Sequence, residues 1–154
     1  MTARLSGPSN RLQALALAVR EAELRLRQGQ PHEGLQVALE ARDALGELGQ
    51  ADLEAAAQLV LAECSLALGN RKEALVAIEA ATPRLDRLGG FYPGLGHAVR
   101  GLVRLAHDDR HGADADLEAA RRHVTDAGFP MVRASWVAAH VLRLDDALVD
   151  REGR

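Results

Sequence analysis

Histidine and aspartate crowd one stretch of this 154-residue chain: His107-Asp108-Asp109-Arg110-His111, with Asp114, Asp116 and His123 close behind. Two histidines four apart on one helix face can chelate zinc or nickel. Here Asp108 to Gly112 reads as the turn between two helices, which breaks that spacing. Acidic residues near the start of the following helix then serve its dipole, and the segment is expected to be a solvated polar loop without a metal. Cys64 is the other chemically distinctive residue. It falls mid-helix on the apolar side with no histidine near it in sequence, so a buried, inert thiol is expected rather than a nucleophile. Asp145, Asp146 and Glu118 could act as acid–base carboxylates but read as helix-surface charge. Gly94-Leu95-Gly96 lacks the further glycines and the lysine of a phosphate loop. The chain is expected to have no catalysis and no cofactor.

Composition narrows the partners. Apolar residues make up 47% and aromatic residues only 3%, so the core must be built from Ala, Leu and Val. The balance of 19 basic and 22 acidic residues, a net charge of −3 and a pI near 6.1 argue against a nucleic-acid or anionic-membrane surface. Lys72 is the sole lysine, an Arg bias that with abundant Ala and Leu suggests a bacterial source. A lone cysteine, a polar start and no apolar run of the ~20 residues a membrane span needs give a cytoplasmic expectation.

The elements that would position any site repeat along the chain. Gly29, Glu33, Leu35, Ala41, Leu45, Leu48 and Gly49 recur 40 residues later as Gly69, Glu73, Leu75, Ala81, Leu85, Leu88 and Gly89. A third copy follows at 39 residues, with Ala113, Leu117, Ala120, Val124 and Gly128 in register with Ala74, Ile78, Ala81, Leu85 and Gly89. Glycine past each helix end and proline inside a start divide the chain into seven helices. They are expected near 10–28, 32–48, 52–68, 72–88, 93–108, 113–127 and 130–149. Pro83, inside the fourth, predicts a kink or an early end. No period-2 alternation predicts a strand. The expected organisation is a tail over 1–9, one helical repeat domain over 10–150 and a tail over 151–154.

The segment Leu61-Ala62-Glu63-Cys64-Ser65-Leu66-Ala67-Leu68-Gly69-Asn70-Arg71-Lys72-Glu73-Ala74 resembles the centre of a tetratricopeptide repeat. It has a small residue in the first helix, Leu-Gly at the turn and Glu-Ala opening the second. The three small positions recur as Ala22, Gly34, Ala41, then Ala62, Ala74, Ala81, then Gly101, Ala113, Ala120. The period exceeds the usual ~34 residues, Gln58 and Ser65 replace the favoured aromatics, and Leu85 and Leu88 extend the second helix where a closing proline is usual. In these respects the array is similar to the longer repeats of bacterial maltose-regulator-type regulators. The resemblance implies an all-α, right-handed α-α solenoid of three helix pairs plus a terminal helix, with a concave groove lined by the first helix of each pair.

Carried onto this sequence, the resemblance gives groove positions Val19, Glu23 and Arg27, then Leu59, Glu63 and Ala67, then Ala98, Leu102 and Ala106. On the last helix, Ala134, Val137, Val141, Leu144 and Leu148 form a stripe expected to pack on the sixth helix. Val132, Trp136 and Ala139 lie roughly opposite, flanked by His140 and Arg143. An outward Trp on a terminal helix predicts an interface, either with a partner or as a homodimer through that helix. The expected function is a non-catalytic protein–protein interaction module, an adaptor or regulatory scaffold that binds a protein or peptide segment along the groove. The alternative is a sensor domain whose groove binds a small effector. An enclosed pocket with convergent polar groups would favour the sensor, and a long open groove the adaptor.

Overall fold

The computed structural model describes the backbone of residues 8–125 and 131–152 and the side chains of 10–124 and 138–151. Among these residues there are seven helices and no strand: α1 (Pro8–Arg27), α2 (Pro31–Glu47), α3 (Ala51–Ala67), α4 (Arg71–Leu88), α5 (Tyr92–Ala106), α6 (Arg110–Thr125) and α7 (Met131–Glu152). Most ends fall within two residues of the sequence expectation. None of the helices is long and apolar enough to cross a membrane.

The turns recur because their chemistry recurs. At the end of α3, Gly69 takes φ +80°. Its N–H donates to the Leu66 carbonyl at 3.1 Å, and the Asn70 N–H reaches back to Ser65 at 2.8 Å. This closure satisfies carbonyls that a helix end otherwise leaves open. The same bonds close α1, from Gln30 to Arg25, and α2, from Gln50 to Leu45. At the third repeat the glycine is replaced: Asp108 itself adopts φ +62°, and Asp109 N–H donates to Arg104 at 2.9 Å. An L residue in the left-handed region is rare, and aspartate is among the few that tolerate it. Helix α6 therefore starts at Arg110, three residues before the expected Ala113.

Pro83 does not end its helix early: α4 runs on to Leu88. The lost backbone donor faces the carbonyl of exposed Glu79, where water can substitute. Next to it, buried Thr82 donates its hydroxyl to the Ile78 carbonyl, one turn back, at 2.6 Å.

Each helix packs on the next, and the odd-numbered helices also touch one another: α1 on α3, α3 on α5, α5 on α7. No two even-numbered helices touch among the described residues. The odd-numbered helices thus form one continuous inner layer. All nine small repeat positions are buried, with the seven alanines among them at most 1% exposed. Gly34 shows why they are small. A Cβ there would stand 2.9 Å from the Ala22 carbonyl oxygen and 3.1 Å from Cys64 Sγ, so α1, α2 and α3 meet at one point. Gly101 is equally enclosed, between Leu144 of α7 and Asp116 of α6.

Candidate functional site

The inner-layer helices and the last helix line one cavity. α7 lies across α5 and α6 with Val141, Leu144 and Leu148 buried. The expected stripe therefore packs on two helices rather than on α6 alone. The side chains of Val132, Ala134, Trp136 and Val137 lie outside the described residues. His140, expected beside an outward stripe, is instead 6% exposed and faces inward. Its Nε2–H donates to the Glu63 carboxylate at 3.1 Å, joining residues 77 apart in sequence.

Around this pair is a pocket of about 570 Å³. Leu26, Leu66, Val99 and Leu102 form its apolar wall, and Arg27, Glu63, His140 and Arg143 converge on it. Two sets of residues that the sequence assigned to separate surfaces, the groove and the terminal helix, thus line one cavity between α1, α3, α5 and α7. Ala67 lines it as well. Glu23 is half-buried and carries a polar interaction of its own.

Three expected groove residues are corrected. Val19, Leu59 and Ala98 are 5%, 2% and 0% exposed. They point between helices and belong to the core, because the odd-numbered helices touch directly and leave no free surface at those positions.

Charge in the pocket is uneven. Glu63 is hydrogen-bonded by His140, whereas Arg143 is exposed and makes no ion pair among the described residues. Arg27 is also exposed and has an interaction of its own. Arg27 and Arg143 thus offer two guanidinium groups at the pocket beside the hydrogen-bonded Glu63.

A second polar constellation was not foreseen. Asp116 of α6 is 1% exposed and gathers three cationic or donor side chains from α5. Arg100 grips it with both Nε and Nη2, the closest contact being 2.8 Å. Arg104 Nη1 reaches it at 3.0 Å and His97 Nδ1 at 3.0 Å. His97 Nε2 also meets Asp86 of α4 at 3.0 Å, and Arg104 meets Glu79 at 3.4 Å. Burial on its own would raise the Asp116 pKa, but the hydrogen bonds from His97 and Arg100 and the charges of Arg100 and Arg104 hold it below the usual carboxylate range. The network staples α4, α5 and α6 together. The signal was present in the sequence: Asp116 sits in the small-and-apolar register of Ala113, Leu117 and Ala120, opposite the i, i+3, i+7 row His97, Arg100, Arg104.

The candidate chemical residues take structural places. His107 caps α5 and donates Nε2–H to the Arg71 carbonyl at 2.9 Å. His111 lies beyond the turn, on α6. Among the described residues no three His, Cys, Asp or Glu side chains converge as metal ligands would. Cys64 is fully buried, and desolvation, aided by the neighbouring Glu63 charge, pushes its thiol up to about 12. It stays protonated at neutral pH and is a poor nucleophile. Asp145 pairs with Arg121 at 3.0 Å.

A shallower apolar groove of about 360 Å³ runs between α2, α3 and α4, past Leu35, Leu39, Leu61 and Val76. Compared with known proteins, the chain matches no family model, no curated protein and no solved structure.

Proposed function

We propose that the protein is a non-catalytic regulatory binding module, a right-handed α-solenoid of tetratricopeptide-like type, that works through its concave face. One observation carries this reading: α7 packs on α5 and, with α1, α3 and α5, lines a pocket in which an apolar wall faces two arginines. About 570 Å³ lies within the range that suits a compact ligand, and the charge favours an acid. The preferred occupant is a small organic carboxylate with an apolar body. Arg143 would take the carboxylate, and Leu66, Val99 and Leu102 would take the chain. Occupancy would bridge α7 to α3 and α5 and so change what α7 presents to a partner protein. An adaptor that binds an extended peptide, the rival reading, would need a longer open surface than the pocket offers.

Octanoate and octylamine, matched in length and opposite in charge, separate these ideas. Octanoate should raise the melting temperature in a concentration-dependent way, and octylamine should not. Replacing Arg143 with Ala should weaken octanoate binding roughly tenfold, the worth of one charge-assisted hydrogen bond. Equal response to both probes, or an Arg143→Ala variant that binds octanoate as wild type does, sinks the proposal.

A further inference from the structure

The array has two ends, and both are apolar on the outside. Of the large apolar residues exposed among the described ones, four sit on the first and last helices: Leu17 (69%) and Leu24 (54%) on α1, Leu142 (60%) and Val149 (57%) on α7. Each pair is seven residues apart and so forms a single stripe two turns long. Each stripe lies opposite its helix's buried side, which holds Val19 and Ala22 on α1 and Val141, Leu144 and Leu148 on α7. The neighbours of α1 are α2 and α3, and those of α7 are α5 and α6. Among the described residues no element covers either outer face.

The stripes are complementary. Between the two leucines of α1 lies Arg20, and between Leu142 and Val149 lies Asp146. Both charges are exposed and make no ion pair among the described residues. Read forwards, Leu17, Arg20 and Leu24 are spaced three then four. Read backwards, Val149, Asp146 and Leu142 are also spaced three then four. Laid antiparallel, the helices match residue for residue: Leu17 on Val149, Arg20 on Asp146, Leu24 on Leu142. Glu21 would fall near Asp145, but each already has its own partner, Arg25 at 3.6 Å and Arg121 at 3.0 Å.

We propose that copies of this chain associate head to tail, the outer face of α1 on one copy docking antiparallel on the outer face of α7 on the next. The symmetric alternatives match less well. With Leu142 stacked on Val149, an antiparallel α7–α7 contact would set Asp146 against Asp145, and with Leu17 stacked on Leu24, an α1–α1 contact would set Arg20 against Glu21, which already pairs with Arg25 at 3.6 Å. A head-to-tail contact uses two different patches, so it does not close on itself at two copies and extends as an open chain unless its geometry forms a ring. One helix on one helix buries well under the ~800 Å² per partner of a standard interface. The association is therefore weak and steeply dependent on concentration. It is independent of the pocket, because none of the six residues lines it.

Sedimentation velocity over a concentration series, from low micromolar to near millimolar, tests this. Wild type should grow in mass with concentration and show no fixed stoichiometry. Arg20→Asp and Asp146→Arg should each stay monomeric, and the chain carrying both should regain association. A mixing experiment then reads the head-to-tail geometry itself. A Leu17→Glu/Leu24→Glu chain keeps only its α7 face, and a Leu142→Glu/Val149→Glu chain keeps only its α1 face. Each should be monomeric alone, and together they should form a one-to-one pair that grows no further. All four sites are exposed, and circular dichroism should report unchanged helix content. A monomeric wild type across the series, a fixed dimer that survives both single reversals, or parents that do not pair on mixing overturns the proposal.

Discussion

A carboxylate with almost no solvent contact, Asp116, couples the second half of the array to acid. Its pKa is held below the ordinary value because the folded state stabilises the charged form. Protons therefore bind more readily to the unfolded chain near pH 4. This contribution to stability is full above the unfolded carboxylate pKa and drains away as pH falls through the lower folded value. Asp116→Asn should thus lose roughly 1–3 kcal/mol at neutral pH, since Arg100 and Arg104 keep some water contact. It should also lose less than wild type does on further acidification below about pH 4. Melts across that range check both. An Asn variant that matches wild type at neutral pH would mean the network is surface decoration. The small sites make a second residue-scale prediction. Ala81→Leu should overpack the junction it occupies and cost roughly 1–3 kcal/mol, whereas the exposed control Arg71→Leu should cost little. Equal shifts of the two midpoints would refute the repeat register.

At the scale of elements, the turns set the lengths. Gly69 occupies the left-handed position without steric cost, so Gly69→Ala should destabilise by about 1 kcal/mol. Asp108 holds the equivalent position with a side chain, and its pair with Arg151 is exposed and worth little. Asp108→Gly should therefore raise the melting temperature slightly, and a clear loss would show that the pair matters more than the backbone. Helix ends were legible in the sequence because glycine states a conformational requirement locally. The repeat register was legible because close helix approach excludes side chains. Pro83 does not end α4 early, because the carbonyl it leaves without a donor belongs to an exposed residue, and exposure is not given by one sequence. Val19, Leu59 and Ala98 misled because the inner helices touch directly at those positions. Asp116 was missed because its partners lie on another helix. The meeting of His140 with Glu63 depends on how α7 folds back over 77 residues, a long-range outcome with no local signature.

For the whole molecule, the proposed binding role turns on the pocket that α7 lines together with α1, α3 and α5. A repeat array with a free groove suits an extended chain, and this one has a pocket with an apolar wall, a Glu63 hydrogen-bonded by His140 and an Arg143 with no ion pair among the described residues. The buried His140–Glu63 pair ties α7 to the inner layer, so His140→Ala leaves a carboxylate that is 14% exposed without its partner. That variant should loosen the end of the array and weaken octanoate binding together. Unchanged exchange rates in α7 would show that the pair does not hold the helix. The most direct test of the central claim is amide hydrogen exchange of the wild-type protein with and without saturating octanoate. Added protection is predicted in the pocket-facing parts of α3, α5 and α7 and absent from α2 and α4. Protection confined to the apolar groove between α2, α3 and α4, or none at all, would contradict the account.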